Sequence, residues 1–146
     1  MCDLTLTLQQ VLWVNCGWRV AISEHDCSKS FRQFMKLLNL ATYGKNAVRR
    51  HRKRLRVIPV LEKDQDGRFH FHAAIEPPEH IPQERFRRFV EECWSRIDWG
   101  YRKTVVRFNA DQGWVDYMLK SKQKSGLEAW QDCIDWNSLH NPIADA

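Results

Sequence analysis

The sequence predicts one α+β domain in which helices pack on one face of an antiparallel sheet. Three observations support this class. The 146 residues are 43% hydrophobic and 28% charged, a composition typical of a globular chain of single-domain length. Segments with alternating apolar residues, typical of strands, are separated by segments with apolar residues at helical spacing. Two of the strand segments are joined by a short turn, which favours an antiparallel sheet over a doubly wound parallel one.

The first predicted elements are a strand and a helix. Leu4–Leu8 reads Leu-Thr-Leu-Thr-Leu, the strict alternation of a strand with one buried face. Residues 9–27 carry no clear pattern. A helix is then predicted to begin at Ser28 or Ser30, either of which can cap its first turn, and to end at Gly44. Its apolar stripe consists of Phe31, Phe34, Met35, Leu38 and Ala41.

The remaining elements follow from the same kinds of signal. The turn sequence Asp64–Gly67 joins two alternating segments into a hairpin, and Pro77-Pro78 ends the second of them. Apolar residues then recur at helical spacing until Gly100. A last strand and a helix capped by Asn109 or Asp111 complete the order. The predicted bounds are strands over Arg56–Glu62, Arg68–Glu76 and Thr104–Phe108, and a helix from Pro82 to about Asp98.

Composition excludes several classes of protein. No run of about 18 apolar residues could span a membrane, and the N-terminus lacks a basic region followed by an apolar stretch, so we expect no secretory signal. The five cysteines form no Cys-x-x-Cys pair, which argues against a zinc ribbon and favours a reducing compartment. No Gly-x4-Gly-Lys-Ser/Thr phosphate loop occurs, so we expect no helicase or ATPase activity.

Positive charge is concentrated in one segment. The formal net charge is +5, yet residues 45–56 (KNAVRRHRKRLR) contain seven basic residues and no acidic one. Such a density is typical of a surface that binds nucleic acid, although a nuclear-localisation patch or a solvated helix face has the same pattern. The residues predicted to bind nucleic acid are Lys45, Arg49, Arg50, Arg52, Lys53, Arg54 and Arg56.

The hairpin carries the sharpest chemical signal. A three-residue loop, Gln65–Gly67, places Glu62 opposite His70 and Val60 opposite His72. A slip by one residue would bring the apolar face of one strand beside the polar face of the other. Glu62, His70 and His72 therefore point away from the core together, as a candidate divalent-metal site with open positions. A His-x-His pair without the carboxylate is more often an ordinary surface feature.

A second candidate element is Gly113–Lys124, which reads GWVDYMLKSKQK. Tyr117 and Lys120 are three residues apart and would be neighbours on a helix. A phenol with a pKa near 10 is a poor nucleophile at neutral pH, and a nearby ammonium favours the phenolate. Taken alone, this segment is more simply explained as an amphipathic helix with a core tyrosine.

Together these features resemble the HUH endonuclease superfamily, which includes the single-tyrosine initiators (Rep proteins) of rolling-circle replication and related transposases. Members carry an apolar strand with Thr, then His-hydrophobic-His, then a helix with Tyr and a Lys three residues later. Leu4–Leu8 matches the first motif loosely, His70-Phe71-His72 matches the second, and Tyr117 with Lys120 matches the third. The resemblance covers about residues 4–124.

The resemblance implies a fold similar to the RNA-recognition motif, with a five-strand antiparallel sheet and flanking helices. It implies a nuclease domain over residues 1–125 and a C-terminal helix or tail over residues 126–146. His70, His72 and Glu62 would bind Mn²⁺ or Mg²⁺, and Tyr117, assisted by Lys120, would attack a phosphate of single-stranded DNA. The protein would then be a site-specific DNA endonuclease and ligase with a 5′-phosphotyrosine intermediate. The basic segment, with Lys122 and Lys124, would hold the DNA.

The expected partners are single-stranded DNA or an origin hairpin, and a separate helicase is a further candidate; no membrane is expected. The expected location is the cytoplasm of a bacterial cell, or the host nucleus if the element is viral. The chain is either a complete small initiator or the nuclease domain of a longer one. Three alternatives remain open: a transposase of the same superfamily, a non-catalytic nucleic-acid-binding domain, and an iron oxygenase that uses Glu62, His70 and His72.

Overall fold

The computed structural model of the chain describes residues 1–14 and 17–109, together with residue 113. Its strands are β1 (Cys2–Leu8), β2 (Val11–Val14), β3 (Trp18–Ala21), β4 (Val57–Lys63), β5 (Phe69–Ile75) and β6 (Gly100–Arg107). Its helices are α1 (Glu24–Tyr43), α2 (Lys45–His51) and α3 (Gln83–Ser95). The helix predicted to follow Asn109 or Asp111, and the predicted tail, lie outside the described residues. No described helix combines the length and the apolar character needed to cross a membrane.

The α+β class with an antiparallel sheet is confirmed. The main sheet has the strand order β4-β5-β1-β6, and every neighbouring pair is antiparallel. The five strands implied by the resemblance are wrong for the part of the chain that the structure describes, where this sheet has four strands. β2 and β3 pair with each other in a separate two-stranded hairpin.

The chain leaves the main sheet directly after β1, where the Gln10 side chain and the Gln9 main chain make hydrogen bonds to other strands and loops. The Gln10 side-chain amide donates to the Phe69 carbonyl at 2.9 Å and accepts from the Phe69 N–H at 2.8 Å. The Gln9 N–H donates to the Trp99 carbonyl at 2.7 Å. The main-chain groups of Phe69 and Trp99 therefore already have hydrogen-bond partners. The residues that follow Gln10 do not pair with the main sheet and form an exposed hairpin.

One face of the main sheet packs against α1 and α3 and forms the core. β1 contributes three leucines that are 4% exposed or less. Trp94 of α3 is fully buried and meets Phe34 of α1 edge to face, with 5.4 Å between ring centroids. Its indole N–H donates to the Thr7 carbonyl at 2.9 Å. Both helices therefore cover the same face, as predicted, and the other face of the sheet is left without a described helix.

The start of α1 differs from the prediction. The Ser23 hydroxyl accepts from the Asp26 N–H at 3.1 Å, and the Asp26 carboxylate accepts from the Ser23 N–H at 3.0 Å. This reciprocal capping box satisfies two N–H groups at once, which a single serine does not. Ser28 and Ser30 are therefore wrong as caps and lie buried inside α1. Gly44 ends the helix as predicted, with a φ of 82°.

Two further boundaries differ. α3 ends at Ser95, and Gly100 begins β6 instead of ending the helix. A side chain at position 100 would collide with the carbonyl oxygen of Trp94, so glycine is required where the strand passes the end of α3. α2 is an element that the sequence pattern does not predict, because its seven residues are mostly polar and show no apolar periodicity.

Candidate metal centre and the groove beside it

The three predicted metal ligands lie together on the face of the main sheet opposite α1 and α3. In the β4–β5 hairpin, Glu62 lies opposite His70 and Val60 lies opposite His72, as the sequence predicts. The loop closes with Gly67 at a φ of 79°, the conformation for which glycine is preferred. The short turn and the buried odd-numbered side chains hold this register, so the three ligands are fixed on rigid strands.

Three ligand atoms converge on this face. Glu62 Oε2 lies 3.1 Å from His70 Nε2 and 3.3 Å from His72 Nε2. The imidazole rings meet edge to face with centroids 4.9 Å apart, and the three side chains are 24–30% exposed. One atom of each residue lies within 4.8 Å of the others. The group could therefore hold one metal ion that solvent or a substrate still reaches.

The donor set and its spacing fit a divalent cation. Metal–ligand distances of about 2.1 Å place neighbouring donors about 3.0–3.4 Å apart in octahedral or tetrahedral geometry. The separations of 3.1 and 3.3 Å lie in this range. Two imidazoles and one carboxylate leave positions for water or phosphate oxygens, and such a set suits several divalent metals. The residues form a candidate metal site and do not identify the metal.

A hydroxyl from the neighbouring strand orients one of the histidines. Thr5 on β1 lies opposite His72, and its Oγ1 is 3.3 Å from His72 Nδ1. When Nδ1 donates its proton to this hydroxyl, the lone pair of Nε2 faces Glu62, as a metal ligand requires. Burial lowers the pKa of His72, and the Glu62 carboxylate offsets only part of this effect. The lowered pKa favours the neutral imidazole, which is the form that binds metal.

A buried carboxylate lies on the same face, further along β1. Asp3 pairs with Ala74 of β5 and with Arg107 of β6. It is 9% exposed, and its Oδ1 has no hydrogen-bond partner among the described residues. Burial raises the pKa of Asp3, while nearby His72 and Arg107 act in the opposite direction. In the metal-free protein, nearby positive groups and hydrogen bonds from the described residues therefore offset only part of the cost of burying the Asp3 carboxylate.

We expect Asp3→Asn to stabilise the metal-free protein at pH 7. A carboxyl whose pKa is higher in the folded than in the unfolded state costs stability once the pH exceeds both values. Removing this cost should raise the melting temperature. Thermal unfolding followed by circular dichroism in a chelator measures this. The difference should shrink as the pH falls and vanish only below the ordinary Asp pKa of 3.8, and a lower melting temperature at pH 7 would contradict the expectation.

A groove of about 780 Å³ opens beside the three ligands. His70 and His72 line it, as do Asp64 and Asp66 of the hairpin turn, together with Arg68 from that turn and Tyr101 and Lys103 from β6. The last three are exposed, Tyr101 by 54%. The cations can contact phosphates and the phenol ring can stack on a base. The sequence pattern does not indicate these residues, because their proximity depends on β1 pairing with both β5 and β6.

The basic segment lies away from the candidate metal centre. α2 and the connection that follows pack on α1, where Asn39 Oδ1 accepts the Leu55 N–H at 2.7 Å. α1 covers the core face of the sheet, and the ligands lie on the opposite face. Arg56 is six residues before Glu62 on β4, about 20 Å at the rise of a strand. The predicted DNA-binding residues Lys45, Arg49, Arg50, Arg52, Lys53, Arg54 and Arg56 therefore do not border the metal centre.

Two basic side chains of α1 extend this segment. Arg32 and Lys36, one helical turn apart, line a cleft of about 260 Å³ with Arg49 and Arg54. None of the described residues that line this cleft is acidic. The Arg54 guanidinium donates to the Val48 carbonyl at 3.0 Å, which holds it at the cleft. The basic surface is thus wider than the segment 45–56, because helical spacing brings α1 residues beside it.

Tyr117 and Lys120, with Lys122 and Lys124, lie outside the described residues. The other two tyrosines of the chain are placed. Tyr101 lines the groove. Tyr43 is half-buried at the end of α1, where burial raises its pKa, and its ring contacts His80 with centroids 5.8 Å apart.

Comparison of the chain with protein-family models, with curated proteins and with solved structures finds no match.

Proposed function

We propose that this protein is a metal-dependent nickase and strand transferase of single-stranded DNA that acts through a 5′-phosphotyrosine intermediate. The observation that carries the proposal is the convergence of Glu62, His70 and His72 within 4.8 Å. This cluster lies beside a groove whose lining includes Arg68, Lys103 and Tyr101 as well as Asp64 and Asp66. The resemblance to HUH endonucleases supplies the reaction type. Initiation of rolling-circle replication of a plasmid, phage or small virus is the role that this resemblance implies.

In this proposal the two histidines and Glu62 hold Mn²⁺ or Mg²⁺. A bound cation would act as a Lewis acid that polarises a phosphoryl oxygen of the scissile phosphate. Mn²⁺ suits the mixed donor set better, because Mg²⁺ prefers oxygen ligands. The protein fixes the positions of the three ligand side chains. The β4–β5 pairing holds them on one face of the sheet, and Thr5 orients His72.

The proposed reaction exchanges one phosphoester bond for another. The Tyr117 phenol oxygen forms a bond to phosphorus, and the bond from phosphorus to the 3′ oxygen breaks. The phenol proton ends on the leaving 3′-hydroxyl, so no oxidant, nucleotide or water is consumed. Lys120 favours the phenolate or contacts the phosphate. Because the adduct retains the phosphodiester bond energy, another 3′-hydroxyl can reverse the reaction and join strands.

The groove favours an unpaired strand as the substrate. Tyr101 presents an exposed ring, and a ring can stack only on a base that is not already stacked in a duplex. Arg68 and Lys103 line the same groove and can contact phosphates of such a strand. An iron oxygenase would use the same three ligands but would have no need for a groove with these cations, so the observations favour the nuclease.

The test is a denaturing gel of the protein with a pool of single-stranded oligonucleotides and Mn²⁺. We expect a band that migrates more slowly than the protein, survives denaturation and is absent with a chelator. Sequencing the trapped DNA would identify the nick site, and the identity of that site would distinguish a replication initiator from a transposase. Absence of the band with diverse oligonucleotides and several metals would favour a non-catalytic nucleic-acid-binding domain.

We expect neutralisation of the basic segment to weaken DNA binding without removing cleavage of short oligonucleotides. Replacing Arg49, Arg50, Arg52 and Lys53 by Gln should flatten the salt dependence of binding, by about 0.7 in the log–log slope for each phosphate that the variant no longer neutralises. Cleavage should persist because the segment lies on the other side of the sheet from the ligands. Fluorescence anisotropy over a salt series measures the slope.

The matched control replaces exposed arginines elsewhere, Arg88 on α3 and Arg96 after it, and should leave the slope unchanged. An unchanged slope in the basic-segment variant would instead show that DNA does not use this surface. Failure of that variant to cleave short oligonucleotides would contradict the separation of the two surfaces.

A further inference from the structure

The β2–β3 hairpin exposes two tryptophans. Trp13 is 70% exposed and Trp18 is 71% exposed. An indole side chain has one of the largest apolar surfaces of any residue and is usually packed. Two such side chains on one short hairpin indicate a surface that contacts something else.

The two tryptophans lie on different faces of the hairpin. Trp13 pairs directly with Arg19, and Val14 pairs directly with Trp18. Because side chains alternate along a strand, Trp13 and Arg19 share one face, whereas Trp18 shares the other with the apolar Val14. The Arg19 guanidinium carbon lies 5.7 Å from the centroid of the Trp13 ring. The Trp13 face therefore combines a large aromatic ring with a cation, and the Trp18 face is apolar.

The Trp13 face continues from the groove beside the metal centre. Val11, two residues before Trp13 and on the same face of β2, lines that groove. The step from Val11 to Trp13 is about 7 Å along a strand. The base of the hairpin is held against the main sheet, since the Gln10 amide pairs with Phe69 and the Ile22 N–H donates to the Gln10 carbonyl at 2.9 Å.

We propose that Trp13 and Arg19 form an extension of the groove that binds single-stranded nucleic acid beyond the metal centre. Trp13 stacks on one base, and Arg19 contacts a neighbouring phosphate. An aromatic ring next to a cation offers one surface for a base and one for a phosphate of an unpaired strand. The groove that it continues is lined by Arg68 and Lys103 as well as by Asp64 and Asp66. The inference rests on the proposed function. It adds to that function the place where nucleotides beyond the reacting phosphate would bind.

The experiment measures binding of a fluorescent single-stranded oligonucleotide in a chelator, so that no cleavage occurs. We expect Trp13→Ala to weaken binding by about 5- to 150-fold, the range for removal of one base stack. Trp18→Ala is the matched control on the opposite face of the same hairpin. It should change the affinity by less than about threefold, as for other surface substitutions. Arg19→Gln should lower the salt slope by about 0.7.

A second measurement keeps the proposal testable if a variant folds poorly. Irradiation of the wild-type protein with an oligonucleotide that carries 5-iodouracil should link the base to Trp13, which peptide mass spectrometry identifies. Equal reductions in affinity for Trp13→Ala and Trp18→Ala in folded proteins, or crosslinks that avoid Trp13, would overturn the proposal. A change in oligomeric state with unchanged DNA affinity in Trp13→Ala would also overturn it, in favour of a protein–protein surface.

These outcomes are separate from those of the proposed function. If the wild-type protein forms the covalent adduct but Trp13→Ala binds DNA normally, only the groove extension fails. If no adduct forms but Trp13→Ala binds DNA more weakly, the extension stands and the nuclease reaction fails.

Discussion

His72→Ala should abolish metal-dependent cleavage while leaving the fold intact. The imidazole supplies one of three converging ligand atoms, 3.3 Å from Glu62 Oε2, and no described histidine outside this cluster lies close enough to replace it. Mutation of a residue that hydrogen-bonds to a metal ligand lowers metal affinity or activity by about 10- to 100-fold. Removal of a ligand itself should lower them by more. The residue lies on the face of the sheet opposite the core, and the melting temperature of the metal-free protein should change little.

Calorimetric titration with Mn²⁺ and the adduct assay together measure this effect. His25→Ala is the control, because His25 is exposed in the first turn of α1 and outside the cluster. Thr5→Val gives an intermediate test: it keeps the shape of a β-branched side chain but removes the hydroxyl beside His72 Nδ1, and it should weaken metal binding by about 10- to 100-fold. Undiminished cleavage by His72→Ala would refute the metal centre.

Tyr117→Phe should bind single-stranded DNA as the wild type does and form no covalent adduct with it. The substitution removes only the phenol oxygen, which is the proposed nucleophile, and keeps an aromatic ring. Without the phenol oxygen no bond to phosphorus can form at residue 117, whatever the neighbouring residues contribute. The amount of adduct should therefore fall below detection. The measurement is the denaturing gel with labelled oligonucleotide and Mn²⁺, combined with anisotropy to confirm that DNA is still bound.

Tyr43→Phe is the matched control, because Tyr43 is half-buried beside His80 and does not line the groove. It should form the adduct at the wild-type level. An adduct on Tyr117→Phe would contradict the assignment and would point to Tyr101, which lines the groove with His70 and His72. Tyr101→Phe in the same background would then remove the adduct.

The candidate metal site could be predicted from the sequence because its ligands belong to one local hairpin. The turn at Gly67 and the apolar odd-numbered residues of β4 and β5 favour a single register, and that register pairs Glu62 with His70. Both constraints act within about twenty residues, and both depend on steric and burial preferences that each residue expresses locally. For the same reason, Gly44 was predictable as the end of α1.

Other features depend on choices between local alternatives. Ser23 caps α1 because Asp26 completes a capping box with it, whereas Ser28 and Ser30 are equally suitable by residue type. α2 has no apolar stripe, and packing of Val48 and Leu55 holds its segment on α1. The β2–β3 hairpin depends on the Gln10 side chain replacing a strand beside Phe69, which residue type alone does not indicate.

Local periodicity and turn chemistry are enough to predict the α+β class, the β4–β5 hairpin and the cluster of Glu62, His70 and His72. The surroundings of that cluster depend on contacts between distant parts of the chain. Pairing of β1 with both β5 and β6 brings Thr5 and Lys103 to the ligands, and packing of α2 on α1 places the basic segment elsewhere. These neighbours belong to strands and helices that are far apart in the chain. Their pairing depends on burial of the apolar residues of the whole core, which no single segment of the sequence specifies.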